Sequence, residues 1–243
     1  LEVVKGCYYR TSSERGDSYF EVCRNVDEHC PASLDEVPYR EVVSAKEYPR
    51  CFWINPSIWS GVYSREFLQR ENVRFNEAPG ASYQDVSCAF KVWTSAERAM
   101  LLPEPIIHYR TDNEFSSSNS KAKVFAVCDE VDECAEYLRS RNADTWLYEV
   151  LCALQYKSYI WNINRVASSF KLSFVEKMRA DFQGNIKKGY FPSRFFDGVY
   201  AEDYCAIADH PYVPRRVSEQ PHAEVVVRSQ CESPDVSVIV PFF

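Results

Sequence analysis

Asp85 stands near the start of a predicted helix in "YQDVSCAFKVWTSA", and a carboxylate held on a rigid element is suited to taking a proton from a hydroxyl. A plainer role also fits: Ser82-Tyr83-Gln84-Asp85 reads as a capping box, with an acidic side chain electrostatically favoured at a helix N-terminus. On the residues alone both readings stay open. Downstream, Tyr109-Arg110 precedes the serines of "EFSSSNS", which supplies a cation and hydroxyls where negative charge could develop. The alternative pairs Arg110 with Asp112 or Glu114 and leaves the serines as a plain loop. Trp53, Trp59, Tyr63 and Tyr83 could form an aromatic shelf for the C–H faces of a sugar ring. Aromatic side chains on helices and strands commonly pack in cores, and core is the expectation for at least half of these.

The elements that would position these groups fall into three regions. Residues 1–120 are mixed: "EVVKGCYYR" and "RGDSYFEVCR" read as strands, "SREFLQREN" as a short helix, and "RAMLLPEPIIHYR" as two short strands broken by Pro103 and Pro105. Residues 121–232 are mainly helical. Val124, Val127, Val131, Cys134 and Leu138 form one apolar stripe, and Asp129, Glu130, Asp132, Glu133 and Glu136 read as its solvated counterpart. The next helix starts at the N-cap candidate Asp144 and buries Leu147, Val150, Leu151, Leu154 and Trp161. Gly184 is the expected stop of the helix through "FVEKMRADFQ". Residues 233–243 hold one further strand, "VSVIV", between Pro234 and Pro241.

Composition limits what such a chain does. With 243 residues, 46% hydrophobic and 26% charged, and only 7 Gly and 13 Pro, it is a folded chain of one or two domains. A net charge of −7 creates no overall attraction for phosphate backbones, so no nucleic-acid partner is expected. No apolar run approaches the ~20 residues of a membrane span. The 10 cysteines never form C-x-x-C and read as reduced thiols of a cytosolic protein, and none of the 4 histidines is spaced with them as zinc ligands are.

The stretch "NPSIWSGVYSREFLQRENVRFNEAPGASYQDVSCAFKVW", together with "PEPIIHYRTDNEFSSSNS", resembles the acceptor-side half of family 2 glycosyltransferases. These are inverting enzymes of the GT-A fold, and the likeness is to members that build bacterial polysaccharides. It covers about half the chain and rests on ordered, spaced motifs. The resemblance implies Asp85 as general base, with Gln84 where the family has an acidic residue, so that Gln84 would position by hydrogen bonding only. It further implies Trp59, Tyr83 and Gln84 as acceptor-side residues, and Arg110, Ser116 and Ser117 as contacts of the donor's diphosphate. His108 is a further candidate near a diphosphate-bound metal, against the ordinary structural role of a lone histidine. Substrates would be a nucleotide sugar and a glycan or lipid-linked acceptor, handled in the cytoplasm or peripherally at the inner membrane face.

The family's nucleotide-binding half, with its Asp-x-Asp site for a divalent magnesium or manganese ion, has no counterpart in residues 1–40. The expectation is therefore a partial GT-A domain of α/β (α+β) class over 1–120, a helical connector over 121–232, and the first strand of a following transferase module over 233–243. On that reading the chain is an internal piece of a longer parent, has no metal of its own and is inactive alone. The competing reading is a non-catalytic helical spacer or docking module with a degenerate transferase half. A third reading is a helical adaptor in which every motif is core packing.

Overall fold

The computed structural model describes residues 1–24, 28–77, 83–112 and 124–209, and these form a mixed α/β structure. Five strands make one sheet: β1 (Val3–Ser12), β2 (Gly16–Phe20), β3 (Val42–Val43), β4 (Gly61–Tyr63) and β5 (Ala99–Arg110). Their order is β2-β1-β5-β3, with β4 pairing on β1. The residues of "VVKGCYYRTS" suit a pleated buried surface, and Val3, Cys7 and Tyr8 are all sealed. The β1–β2 hairpin turns through Gly16, whose φ of 68° a side chain rarely adopts. β1 and β5 run parallel, which requires a long crossover, and the intervening residues supply it.

The run "RAMLLPEPIIHYR" corrects the expectation of two strands: it is the single strand β5. Its register slips against β1, advancing from Leu102 to Pro105 while β1 moves only from Gly6 to Cys7. Pro103 and Pro105 lack N–H donors and occupy this irregularity without breaking the strand.

Six helices follow the same logic: α1 (Arg65–Arg70), α2 (Gln84–Ser95), α3 (Ala126–Ser140), α4 (Thr145–Ile163), α5 (Ser168–Lys187) and α6 (Gly198–Asp209). Ser64 caps α1 by accepting the Phe67 N–H at 3.3 Å. The stripe from Val124 to Leu138 is buried throughout. The acidic run beside it is not wholly solvated, however. Glu130 is buried and accepts from Asn76 Nδ2 at 3.2 Å and from the Ser87 hydroxyl, while Glu133 pairs with buried Lys91 at 2.6 Å. These carboxylates fasten α3 to α2.

Trp161 is 49% exposed rather than buried, with the Arg165 guanidinium 3.9 Å above its ring. Nor does α5 stop at Gly184. It continues to Lys187, and the chain leaves through Gly189 at φ 78°.

One hydrophobic core runs from the sheet into the helices. Two short 3-10 turns, Pro49–Trp53 and Ile58–Ser60, lie between β3 and β4. From the first, Trp53 stacks on Phe195 at 5.8 Å and Phe52 meets Trp146 edge-on at 6.2 Å. The far end of the core is a stack of Tyr159, Phe182 and Tyr204 contributed by α4, α5 and α6. Residues 233–243 lie outside the described residues. Among the described residues, Cys7, Cys23, Cys51, Cys88, Cys128, Cys134 and Cys152 are buried free thiols, and no helix is long and apolar enough to cross a membrane.

Candidate functional site

The chain enters α2 through Tyr83, which has a left-handed backbone (φ 63°) and gives no side-chain cap. Ser82, the first residue of the alternative capping box, lies outside the described residues. Asp85 therefore caps locally, its Oδ1 accepting the Val86 N–H at 3.0 Å. Burial pushes the Asp85 carboxyl above its ordinary value, against the opposing pull of backbone N–H groups and of Lys5. A carboxylate so disposed is a stronger base than an exposed one.

Lys5 is the residue that sequence reasoning missed. It lies on β1 between Val4 and Gly6, only 3% exposed, and donates to Ser57 O at 2.6 Å, Ser57 Oγ at 3.1 Å and Ser60 Oγ at 3.0 Å. Burial lowers its amine from the usual 10.5 to about 7, although the charge of Asp85 works to keep it protonated. Desolvation thus dominates at both members of this pair. The one available signal was a lysine inside an apolar strand, which requires an inward partner.

The 3-10 turn that holds Lys5 also carries Trp59. That indole lies flat on Tyr109 of β5, with ring centroids 4.5 Å apart and planes 8° apart, and it meets Tyr8 edge-on at 4.6 Å. Tyr8 in turn stacks on Phe20 at 4.7 Å, with the Arg10 guanidinium 4.0 Å over the Phe20 ring. Trp59 and Tyr109 are each 36% exposed, so the aromatic group opens to solvent beside the buried Lys5, Ser57 and Ser60, with the half-buried Asp85 acting on Lys5 through its charge. Of the other aromatic candidates, Trp53 is core, Tyr63 is half-buried, and Tyr83 turns toward α4, donating to Asn162 Oδ1 at 2.5 Å. Gln84 donates from Nε2 to Asn76 O at 2.7 Å.

Arg110 stands apart from this group. Tyr109 reaches Trp59 and Tyr8, whereas His108 reaches Tyr9, Thr11 and Asp17, so the two face opposite sides of the sheet. Strand alternation puts Arg110 on the side of His108. Its Nε donates to Asp112 Oδ1 at 2.8 Å, the ion pair weighed as the alternative from the sequence. The hydroxyl and backbone N–H of Ser13, and then Arg110, hold the Asp112 carboxyl well below the usual carboxylate range. In β1–β5 register Arg110 lies opposite Thr11, about six residues or ~20 Å along the strand from Lys5. Ser116 and Ser117 lie outside the described residues.

Among the described residues no three His, Cys, Asp or Glu side chains converge as metal ligands. His108 Nδ1 lies 3.2 Å from both Thr11 Oγ1 and Asp17 Oδ2, a pair of contacts and not a ligand set. These residues do not fit a divalent ion. No family model, curated protein or solved structure matches the chain.

Proposed function

We propose that the chain is the acceptor-side part of an inverting glycosyltransferase of the family 2, GT-A type, with Asp85 as general base. The observation that carries this reading is the juxtaposition at the Ser57–Ser60 turn. A part-buried carboxylate with raised proton affinity acts through its charge on a buried lysine, and beside that lysine Trp59 and Tyr109 present an open aromatic surface. A pyranose ring laid on that surface brings an acceptor hydroxyl toward the carboxylate. Asp85 takes the hydroxyl proton as the oxygen bonds to the donor's anomeric carbon. The bond from that carbon to the nucleoside diphosphate breaks on the opposite face, and the diphosphate leaves with the electron pair. Gln84, tied to Asn76 O, supports the helix start and adds no charge beside the base.

In the parent enzyme Asp85→Asn is expected to lower turnover by at least about a hundredfold while nucleotide-sugar affinity stays unchanged. Steady-state kinetics beside donor-binding calorimetry checks this, and retained turnover removes Asp85 from the role. The 243 residues alone are expected to bind acceptor oligosaccharide, seen as a change in tryptophan emission that Trp59→Ala abolishes, and to transfer no sugar.

A second reading, a sugar-binding or docking module without transfer, is favoured by the placement of Arg110. Paired with Asp112 and on the other side of the sheet from Trp59, it is not aimed at a leaving group beside Asp85. Arg110→Ala separates the two: weakened donor affinity in the parent supports transfer, and unchanged affinity supports the module.

A further inference from the structure

The base proposed above sits on a helix whose two flanks are gripped by other helices, and the grip has a specific chemistry. Tyr83, immediately before α2, holds φ 63° and ψ 2°, a backbone state that is costly for an aromatic residue and persists only where surroundings enforce it. The enforcing contact is with α4: the Tyr83 hydroxyl donates to Asn162 Oδ1 at 2.5 Å. Asn162 is 2% exposed, and its Nδ2 donates to Val124 O at 2.8 Å, so both ends of this amide are committed. Trp161 closes the Tyr83 ring edge-on at 5.5 Å. On the other flank the buried Glu130 of α3 takes the Ser87 hydroxyl on one oxygen and Asn76 Nδ2 on the other. Asn76 in turn receives Gln84 Nε2 on its carbonyl. Residues 83, 84 and 87 are thereby tied to α3, α4 and the 72–77 segment, with Asp85 between them.

We propose that the helical region sets the position of the Asp85 carboxylate, with Asn162 and Glu130 as positioning residues gripping the two sides of the α2 N-terminus. This rests on the reading of Asp85 as base. The titratable or charged groups acting on Asp85 and Tyr83 are Lys5 of β1, Cys88 of α2, Cys128 of α3 and Arg165 just beyond α4. Removing the Tyr83 hydroxyl takes away its hydrogen bond with Arg165 as well as that to Asn162, whereas Asn162→Leu breaks only the second. Loosening that bond admits water to Asp85 and relieves the desolvation that raises its proton affinity.

The test is a carboxyl-carbon NMR titration of the whole chain as wild type, Tyr83→Phe, Asn162→Leu and Tyr159→Phe. The last variant also loses a hydrogen bond from α4, that to Asp181 Oδ2 at 2.7 Å, but one made to α5 and not to the start of α2. The Asp85 midpoint is expected to fall by about half a pH unit in Tyr83→Phe and Asn162→Leu and to stay put in Tyr159→Phe. Tyr83→Phe keeps the comparison decisive should Asn162→Leu not fold. In the parent the same two variants are expected to lower kcat about tenfold with KM for the nucleotide sugar unchanged. An Asp85 midpoint unmoved in Tyr83→Phe, or moved equally by Tyr159→Phe, overturns the inference. The titration is independent of sugar transfer, so failure of the base reading would appear in the turnover of Asp85→Asn and leave this result standing.

Discussion

Lys5 and Asp85 are each pushed toward neutrality by burial, and each resists for the sake of the other. Removing the lysine charge therefore acts on the carboxylate in a known direction. Lys5→Met is expected to raise the Asp85 midpoint further and to move the acid limb of the parent's pH–rate profile to higher pH, the opposite of the effect of loosening Tyr83. A drop in that midpoint would show that the two groups do not sense each other. The lysine also leaves a signature in stability. Its folded-state amine titrates at about 7 against 10.5 when unfolded, so between those values the unfolded chain holds a proton that the folded chain lacks. Stability from this group accordingly rises as pH increases from about 7 toward 10.5 and is lost below. Urea midpoints at pH 7 and pH 9 should thus increase more in wild type than in Lys5→Met. The Asp85 contribution runs the other way, falling with rising pH between its ordinary and raised values.

The central pair of strands depends on Gly6 at the point where β5 slips register. A Cβ there would meet Ile106 Cγ2 at 2.8 Å and Glu104 O at 3.1 Å, so the neighbouring strand, and not a flexible tip alone, must yield. Gly6→Ala is expected to destabilise the fold by about 1–3 kcal/mol, measured by urea denaturation. No change would mean that the slip is soft. This slip also shows where sequence reading ran out. Pro103 and Pro105 signal a break because proline removes a ladder donor. Whether a strand ends or bulges there depends on the partner, and Gly6 lies nearly a hundred residues away. The helices were more legible, since a 3.6-residue stripe such as Val124 to Leu138 needs no partner to be recognised. Their polar faces were less so: Glu130 and Glu133 look solvated until Ser87, Asn76 and Lys91 are seen opposite them. The site divides likewise. Asp85 at a helix start was readable locally, whereas Trp59 was singled out from the other aromatics only by the resemblance. Lys5 was not readable, because a strand buried on both faces carries no alternation to show which way its lysine points. The pairing of Arg110 with Asp112 was one of two readings that local sequence left open.

At the scale of the whole molecule, the sheet and the helices share one core. Trp53 on Phe195 and Phe52 on Trp146 join the first half to the second through apolar contacts, and Tyr83–Asn162 and Ser87–Glu130 join them through buried polar ones. A connector helix that merely linked modules would unfold without consequence for the sheet. Shared burial predicts the reverse, and the far end of the core is the place to test it. Tyr204 is fully sealed, stacked on Phe182 at 4.1 Å, and hydrogen-bonded through its hydroxyl to Asn185 at 3.2 Å, with no contact to the sheet among these. Tyr204→Ala should cost about 3–5 kcal/mol, as deletion of a buried aromatic does. The loss should appear equally in the slowest-exchanging amides of β1 and of α4, since both open only with the common core. Hydrogen exchange by NMR decides this: if β1 amides keep their wild-type protection while those of α4 lose theirs, the sheet stands by itself. In that case the support that α3 and α4 lend to Asp85 is local contact and not shared folding.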